Sequence, residues 1–325
     1  MRIVKFTTVI LLMLFLVAGI ANSAAVAEYI TTLKMRQALA PMVSWQESVS
    51  KYALNNNISP IEPKVDKVWK LIPGYNGLVV DQQATLELLN ELKPKSTEEI
   101  IYIWKEEAVI TTLQSLGAQP IYRGNPAKPS TSLMINVAWG TEYIEPILKI
   151  LAEQQVKATF FLDGSWLRNN LETAKKIVAH GHEIGNHAYS HPRMSLLSDA
   201  RIREEILNTE ELLRDLTGHP SKYFAPPSGD FDQRVVDIAF DLEMYTVLWT
   251  LDTIDWQKPS PETIINRIIP KVSNGNLILM HPTGSTVEAL PELIRGIREK
   301  GLIILPVSET LSSKRILPVE QSIKF

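Results

Sequence analysis

From Ser132 onward, short apolar runs alternate with longer stretches in which apolar residues recur every three to four positions. Ser132–Val137, Lys157–Leu162, Glu183–Gly185, Met244–Trp249, Asn276–Met280 and Leu302–Leu305 read as strands, and Tyr223–Phe224 enters a proline loop. Between them, Glu142–Gln155 carries Ile144, Ile147, Leu148 and Leu151 on one helical face, and Ser165–His180, Ser198–Leu216, Asp232–Leu242 and Val287–Lys300 are also helical. Ser260 supplies a further helix start, with Pro261 at the first position and Glu262 in the first turn. Such alternation predicts an α/β fold with a parallel sheet or barrel. In a barrel, chemistry gathers at the C-terminal ends of the strands. Asn136, Asp163, His187, Asp252 and His281 all fall at or just after such ends.

Upstream the pattern is less regular. Ala38–Tyr52 and Gln83–Leu92 have helical character, and Leu78–Asp81 reads as a short strand. Ile100–Ile103 and Val109–Leu113 fit neither period well. Residues 28–121 therefore form a small α+β module without a chemical motif. Residues 122–130, with two Pro and a Gly, read as a linker; a second domain spans 131–315 and a tail 316–325. At the start, Arg2 and Lys5 precede an apolar run to Ile20, and small residues follow to Ala27. That is the three-part pattern of a signal segment, 1–27. Its core is shorter than the roughly 20 apolar residues a spanning helix needs. Cleaved or kept as an anchor, it places the chain outside the cytoplasmic membrane, and contact with the membrane is expected through this segment alone.

Composition narrows the partners. The 325 residues have a net charge of −3, so no basic footprint points to nucleic acid. Cysteine is absent, which removes disulfides, thiolate ligands and cysteine nucleophiles.

Few side chains remain for chemistry. His187 and His191 are four apart, a spacing that on a helical turn aims both rings at one metal ion, but one that also suits surface histidines. His281 follows a strand and fits either a core residue or an acid–base group. Asp252 and Asp255 stand beside Trp256; a carboxylate bonded to an imidazole fixes its tautomer and raises its pKa, and either Asp could equally cap a turn. Phe224–Gly229 is a rigid proline loop whose N–H groups could meet an oxyanion, or a plain turn. His180, His182 and His219 flank turns and read as solvated.

Taken together these segments resemble the polysaccharide deacetylases with the NodB homology domain, carbohydrate esterase family four. Lys157–Leu162 is similar to the family's second strand, Gly185–Pro192 to its His-x-x-x-His motif, Phe224–Gly229 to its Arg-x-Pro-x-Gly loop, Asp252–Trp256 to its Asp-x-x-Asp-Trp motif and Leu277–His281 to its Leu-x-Leu-x-His motif. Asn136–Gly140 and Pro73–Gly77 resemble a subgroup from endospore-forming bacteria. The resemblance implies a distorted (β/α) barrel and amide hydrolysis on an N-acetylated glycan, peptidoglycan or chitin-like. It implies a divalent metal, zinc first, on His187 and His191, and His281, oriented by Asp255 or Asp252, as the acid. It also implies a substrate pocket of Trp256, Leu279, Pro227 and Ser228.

The first motif departs from the family's Thr-Phe-Asp-Asp-Gly. Its base position is Asn136, its ligand position Val137; the bracing Arg of the proline loop is Ala225 and the Tyr is Ser228. An amide is no base near neutral pH, and losing general-base catalysis costs about 10²–10⁴ in rate. Asp163 is the nearest substitute ligand or base, with Asp230 and Asp232 behind it. Two readings follow: a deacetylase with an impaired, rearranged site and a weakly held or absent metal, or an inactive glycan-binding or scaffolding relative in the spore or cell envelope.

Overall fold

A computed structural model of the protein describes residue 13 and residues 17–316, without the side chains of 37–44. Part of the apolar run of the expected leader, and all of the expected tail but residue 316, fall outside these residues. Among the described residues, no helix is long and apolar enough to cross a membrane.

The chain forms two compact units, Met1–Ile58 with Leu78–Lys105, and Ser59–Gly77 with Glu106–Phe325. The first contains the helices Ala24–Asn56 and Gln82–Leu92, the latter capped by Asp81 accepting from Ala84 N. Val49, Ala53, Val80, Leu89 and Ile100 form its buried cluster, and Tyr52 stacks on Tyr102 at 3.6 Å between ring centroids.

Four short strands precede the main sheet: β1 (Lys64–Asp66), β2 (Lys70–Ile72), β3 (Gly77–Val80) and β4 (Trp104–Glu107), with β1 and β2 paired antiparallel. The main sheet is built from β5 (Ser130–Val137), β6 (Thr159–Leu162), β7 (Glu183–Asn186), β8 (Tyr223–Phe224), β9 (Tyr245–Thr246), β10 (Leu251–Asp252), β11 (Leu277–Met280) and β12 (Ile303–Ile304). Its order is β10-β11-β5-β6-β7-β8-β9, every pair parallel, with β12 added to β5. The seven-strand path curls into a half-barrel, the expected distorted (β/α) barrel.

Strand alternation separates two cores. Leu133, Ile135, Val137, Phe160 and Leu162 pack with Ile144, Ile147, Leu290 and Leu293 of the helices outside. Met134, Phe161, Val247 and Leu277 fill the inside together with Leu71, Ile121, Val307 and Leu311.

That inner cluster corrects the expected domain boundary near 121. Leu71 and Ile121 are both fully buried in it, and Ile121 N donates to Thr246 O while Leu248 N donates to Ile121 O. Residues 59–77 and 106–121 thus belong to the barrel unit. The expected linker 122–130 is also built in: Gly124 N donates to Gly275 O, Asn125 Nδ2 to Pro73 O, and Ser130 opens β5. The helix expected over 165–180 is broken at Asn170 (φ −131°, ψ 37°), whose side chain bonds Trp166 O and Thr141 Oγ1. His182, expected as solvated, is buried against Phe160 and accepts from Ala158 N; burial pushes its pKa down to about 4.

Within the former linker, Lys128 is buried, and its ammonium donates to the carbonyls of Glu309 (2.5 Å) and Ser312 (2.9 Å) at the end of the helix Val307–Leu311. Burial pushes its pKa down to about 8, although Glu309 and Glu106 pull the other way. The folded chain therefore releases this proton near pH 8, and the unfolded chain near pH 10.4. Between those values the unfolded state binds more protons, so stability from this group rises with pH. The rise is on the order of 3 kcal/mol. Denaturant titrations at pH 7.5 and 10.5 should show wild type gaining relative to Lys128→Met across that window. A flat difference contradicts the buried-ammonium assignment.

Candidate functional site

The C-terminal ends of β5, β7, β10 and β11, with the proline loop after β8, surround a pocket of about 370 Å³. It gathers Asn136, His187, Asp252 and His281 from the strand ends, together with His191, Ser228, Trp256 and Leu279; Asp163, also at a strand end, does not line it. Ala138, Trp139 and Trp249 also line it. Pro227 does not; it is buried in the turn Pro227–Gly229 and supports Ser228, which stands at φ 55°. The next residue, Gly229, faces Trp249: a Cβ there would lie 2.7 Å from the indole.

The His pair is not on a helical turn. It lies in an irregular loop in which Ala188 (φ 58°) and His191 (φ 54°) take left-handed conformations. Such strain persists only where surroundings fix it. Here Asn186 Oδ1 accepts from Ala188 N, and the buried Glu205 carboxylate accepts from Tyr189 N, Ser190 N and Ser190 Oγ. The two rings stand 5.2 Å apart at 72°. His187 Nδ1 lies 2.7 Å from Ala225 O. A carbonyl only accepts, so Nδ1 carries the proton and Nε2 keeps its lone pair. Burial, then the charge of His191, push the His187 pKa down to about 3, and the ring is neutral at physiological pH.

Behind the pocket, the buried Asp255 is the partner of His281. Its Oδ1 meets His281 Nδ1 at 2.8 Å; its Oδ2 accepts from His281 N at 2.6 Å and from Thr286 Oγ1. Asp252 lines the pocket and accepts from Ile254 N. Trp139 stacks on the His281 ring, 5.8 Å between centroids and 10° from parallel. Gly140 (φ 77°) makes this possible, since a Cβ there would fall 2.1 Å from Pro282 O.

These residues do not fit the resident metal that the His pair suggested. Catalytic zinc is held by three protein ligands. Among the described residues, no three His, Cys, Asp or Glu side chains are placed to hold a metal. Asn136 faces the pocket with an amide, and Val137 faces the helix-side core. Asp163, expected as a substitute ligand, instead caps the helix Gly164–Asn169: Oδ1 accepts from Ser165 Oγ and Trp166 N. Burial pushes its pKa up, and Oδ2 has no partner. Asp230 holds Ser195 N and Oγ, and Asp232 caps the helix Gln233–Asp241.

The pocket residues that sequence reasoning missed are two tryptophans, Trp139 and Trp249, which join the expected Trp256. The chain has seven, and Trp139, Trp249 and Trp256 line this one pocket. The placement of Trp139 three residues past Asn136 on a strand end was the available signal.

The polysaccharide deacetylase family model matches residues 123–247. The chain is 46% identical over 271 residues to the uncharacterized protein YlxY of Bacillus subtilis, covering 83% of this chain and 84% of that one. It is 32% identical to a peptidoglycan-N-acetylglucosamine deacetylase of Bacillus cereus, over 60% of this chain and 73% of the other. Among solved structures, BA3943 of Bacillus anthracis, described as a CE4 family pseudoenzyme, is 42% identical with a TM-score of 0.76, covering 83% of this chain and 96% of that one. A mutant of it is described as having restored enzymatic activity.

Proposed function

The chain belongs to the polysaccharide deacetylase family, and we propose that it keeps the family's glycan pocket for binding while having lost turnover. The observation that carries this reading is Asn136, an amide inside the pocket where the resemblance places the catalytic base. Without a carboxylate there, no group takes a proton from attacking water by the usual route, and the two imidazoles lack a third ligand. The pocket is otherwise furnished. His281 keeps its Asp255 partner, and Trp139 and Trp256, 44% and 52% exposed, present flat apolar faces to a sugar ring. The ligand is an N-acetylated glycan, peptidoglycan or chitin-like, met outside the cytoplasmic membrane as the leader suggests.

Full-length protein should sediment with insoluble peptidoglycan and chitin, and Trp256→Ala should weaken retention about tenfold. With zinc present, no acetate should accumulate. Equal retention of the variant would remove the pocket from the interaction. The alternative is slow hydrolysis with Asp252, the one acidic residue lining the pocket, as base. Acetate release by wild type that Asp252→Asn abolishes would establish it instead.

A further inference from the structure

Charge is unevenly spread over the barrel unit. The chain is net −3, yet the hairpin of β1 and β2 carries Lys64, Lys67 and Lys70, all exposed. The one carboxylate between them, Asp66, is tied into the turn: Oδ1 accepts from Val68 N at 2.8 Å and Trp69 N at 2.9 Å. These bonds fix Val68 at the tip, 70% exposed, with Val65 49% exposed on the strand behind it. Trp69 is half-buried, and the Arg123 guanidinium lies over its ring at 5.4 Å. Lysine stems lie along an apolar boundary while their ammonium groups stay in water. A valine tip, a tryptophan behind it and cations around it are the chemistry of a lipid–water interface.

The place of the hairpin in the fold gives such a contact a direction. Arg123 Nη2 donates to Asn274 O, and Arg123 bridges Asn276, just before β11. From there β11 runs to Leu279 and the pocket. The tip is thus tied to the N-terminal end of a barrel strand whose other end opens on the pocket.

We propose that the β1–β2 turn docks on an anionic phospholipid surface, with Val68 entering the headgroup region and Lys64, Lys67 and Lys70 meeting lipid phosphates. Docked this way, the barrel turns its pocket away from the lipid. Each lysine near such a surface contributes about fivefold to binding. An anionic polymer in solution would engage the lysines and leave Val68 in water.

The chain has no cysteine, so Val68→Cys in the full-length protein takes a single environment-sensitive fluorophore. Leu207→Cys, 43% exposed on the helix Asp199–Thr217, is the control. Both are mixed with phosphatidylcholine vesicles, with and without phosphatidylglycerol, that carry a lipid-borne quencher. The Val68 label should shift to the blue and be quenched on the phosphatidylglycerol vesicles alone, and the Leu207 label on neither. Replacing Lys64, Lys67 and Lys70 together by Gln should weaken this contact about a hundred-fold. The label reads the hairpin itself, so attachment through the leader gives no signal. A Val68 label that stays water-like on both vesicles overturns the proposal, as does an equal response on pure phosphatidylcholine or an equal response of the Leu207 label. A response to poly(glycerol phosphate) in solution, with none to vesicles, assigns the lysines to a polymer and overturns it too.

Discussion

Protein carrying Asn136→Asp, supplied with zinc, is expected to release acetate from N-acetylchitotetraose at least about a hundred-fold faster than wild type. The substitution is nearly isosteric, so the end of β5 need not move. It puts a carboxylate in the pocket with His187, His191 and His281, which lacks a strong proton acceptor at that position. It also adds an anionic oxygen to the His pair, so zinc should raise the melting temperature of Asn136→Asp more than that of wild type. The other two departures from the family motif behave differently. Val137 is fully buried and packs with the helix-side core, so Val137→Asp strands a carboxylate away from the imidazoles. That should cost about 3–5 kcal/mol of stability, the range for an uncompensated buried charge. Ala225 is fully buried in the inner cluster, where an arginine overpacks. A folded Asn136→Asp protein with no gain in acetate release and no gain in zinc response would contradict the role given to this position.

Asp255→Ala is expected to be among the most destabilising single changes in the barrel unit, at about 3–5 kcal/mol. Asp255 is fully buried and accepts from His281 Nδ1, His281 N and Thr286 Oγ1. Removing it leaves three donors without an acceptor, and the buried Thr286 hydroxyl cannot turn to water. Set against a typical domain stability of about 5–15 kcal/mol, the loss is severe. Asp255→Asn keeps one acceptor oxygen and should lose less. Urea unfolding with an unchanged slope measures both. A loss below about 1 kcal/mol in Asp255→Ala would mean that these bonds do not hold the β11 loop.

Much of the barrel was legible because its two periods are cleanly separated along the chain. Ile144, Ile147, Leu148 and Leu151 mark one helix, and all four are buried as the pattern implies. The breaks were less so. β10 is two residues long, too short to show alternation, and Asn170 interrupts a helix whose apolar period continues through it. The unit boundary depended on contacts invisible in local sequence: Leu71 and Ile121 become core residues only because the inside of the half-barrel receives them. Lys128 is the sharpest case. Its composition says linker, while its partners are carbonyls 181 and 184 residues away. At the site, motif spacing brought His187, His191, His281 and Trp256 to one pocket, yet could not choose between Asp252 and Asp255 for His281. That choice depends on which carboxylate the turn after β10 carries beneath β11. A spacing of four would suit a helical turn, but it carries no information about left-handed residues such as Ala188, which put the His pair in an irregular loop instead.

The most direct test combines binding and turnover in one sample. Wild-type protein with equimolar zinc is titrated with N-acetylchitotetraose in a calorimeter, and acetate in the cell is then measured after prolonged incubation. The expected result is a saturable heat of binding and acetate no higher than in a protein-free cell. Acetate accumulating in proportion to protein concentration would contradict a pocket that binds without turnover.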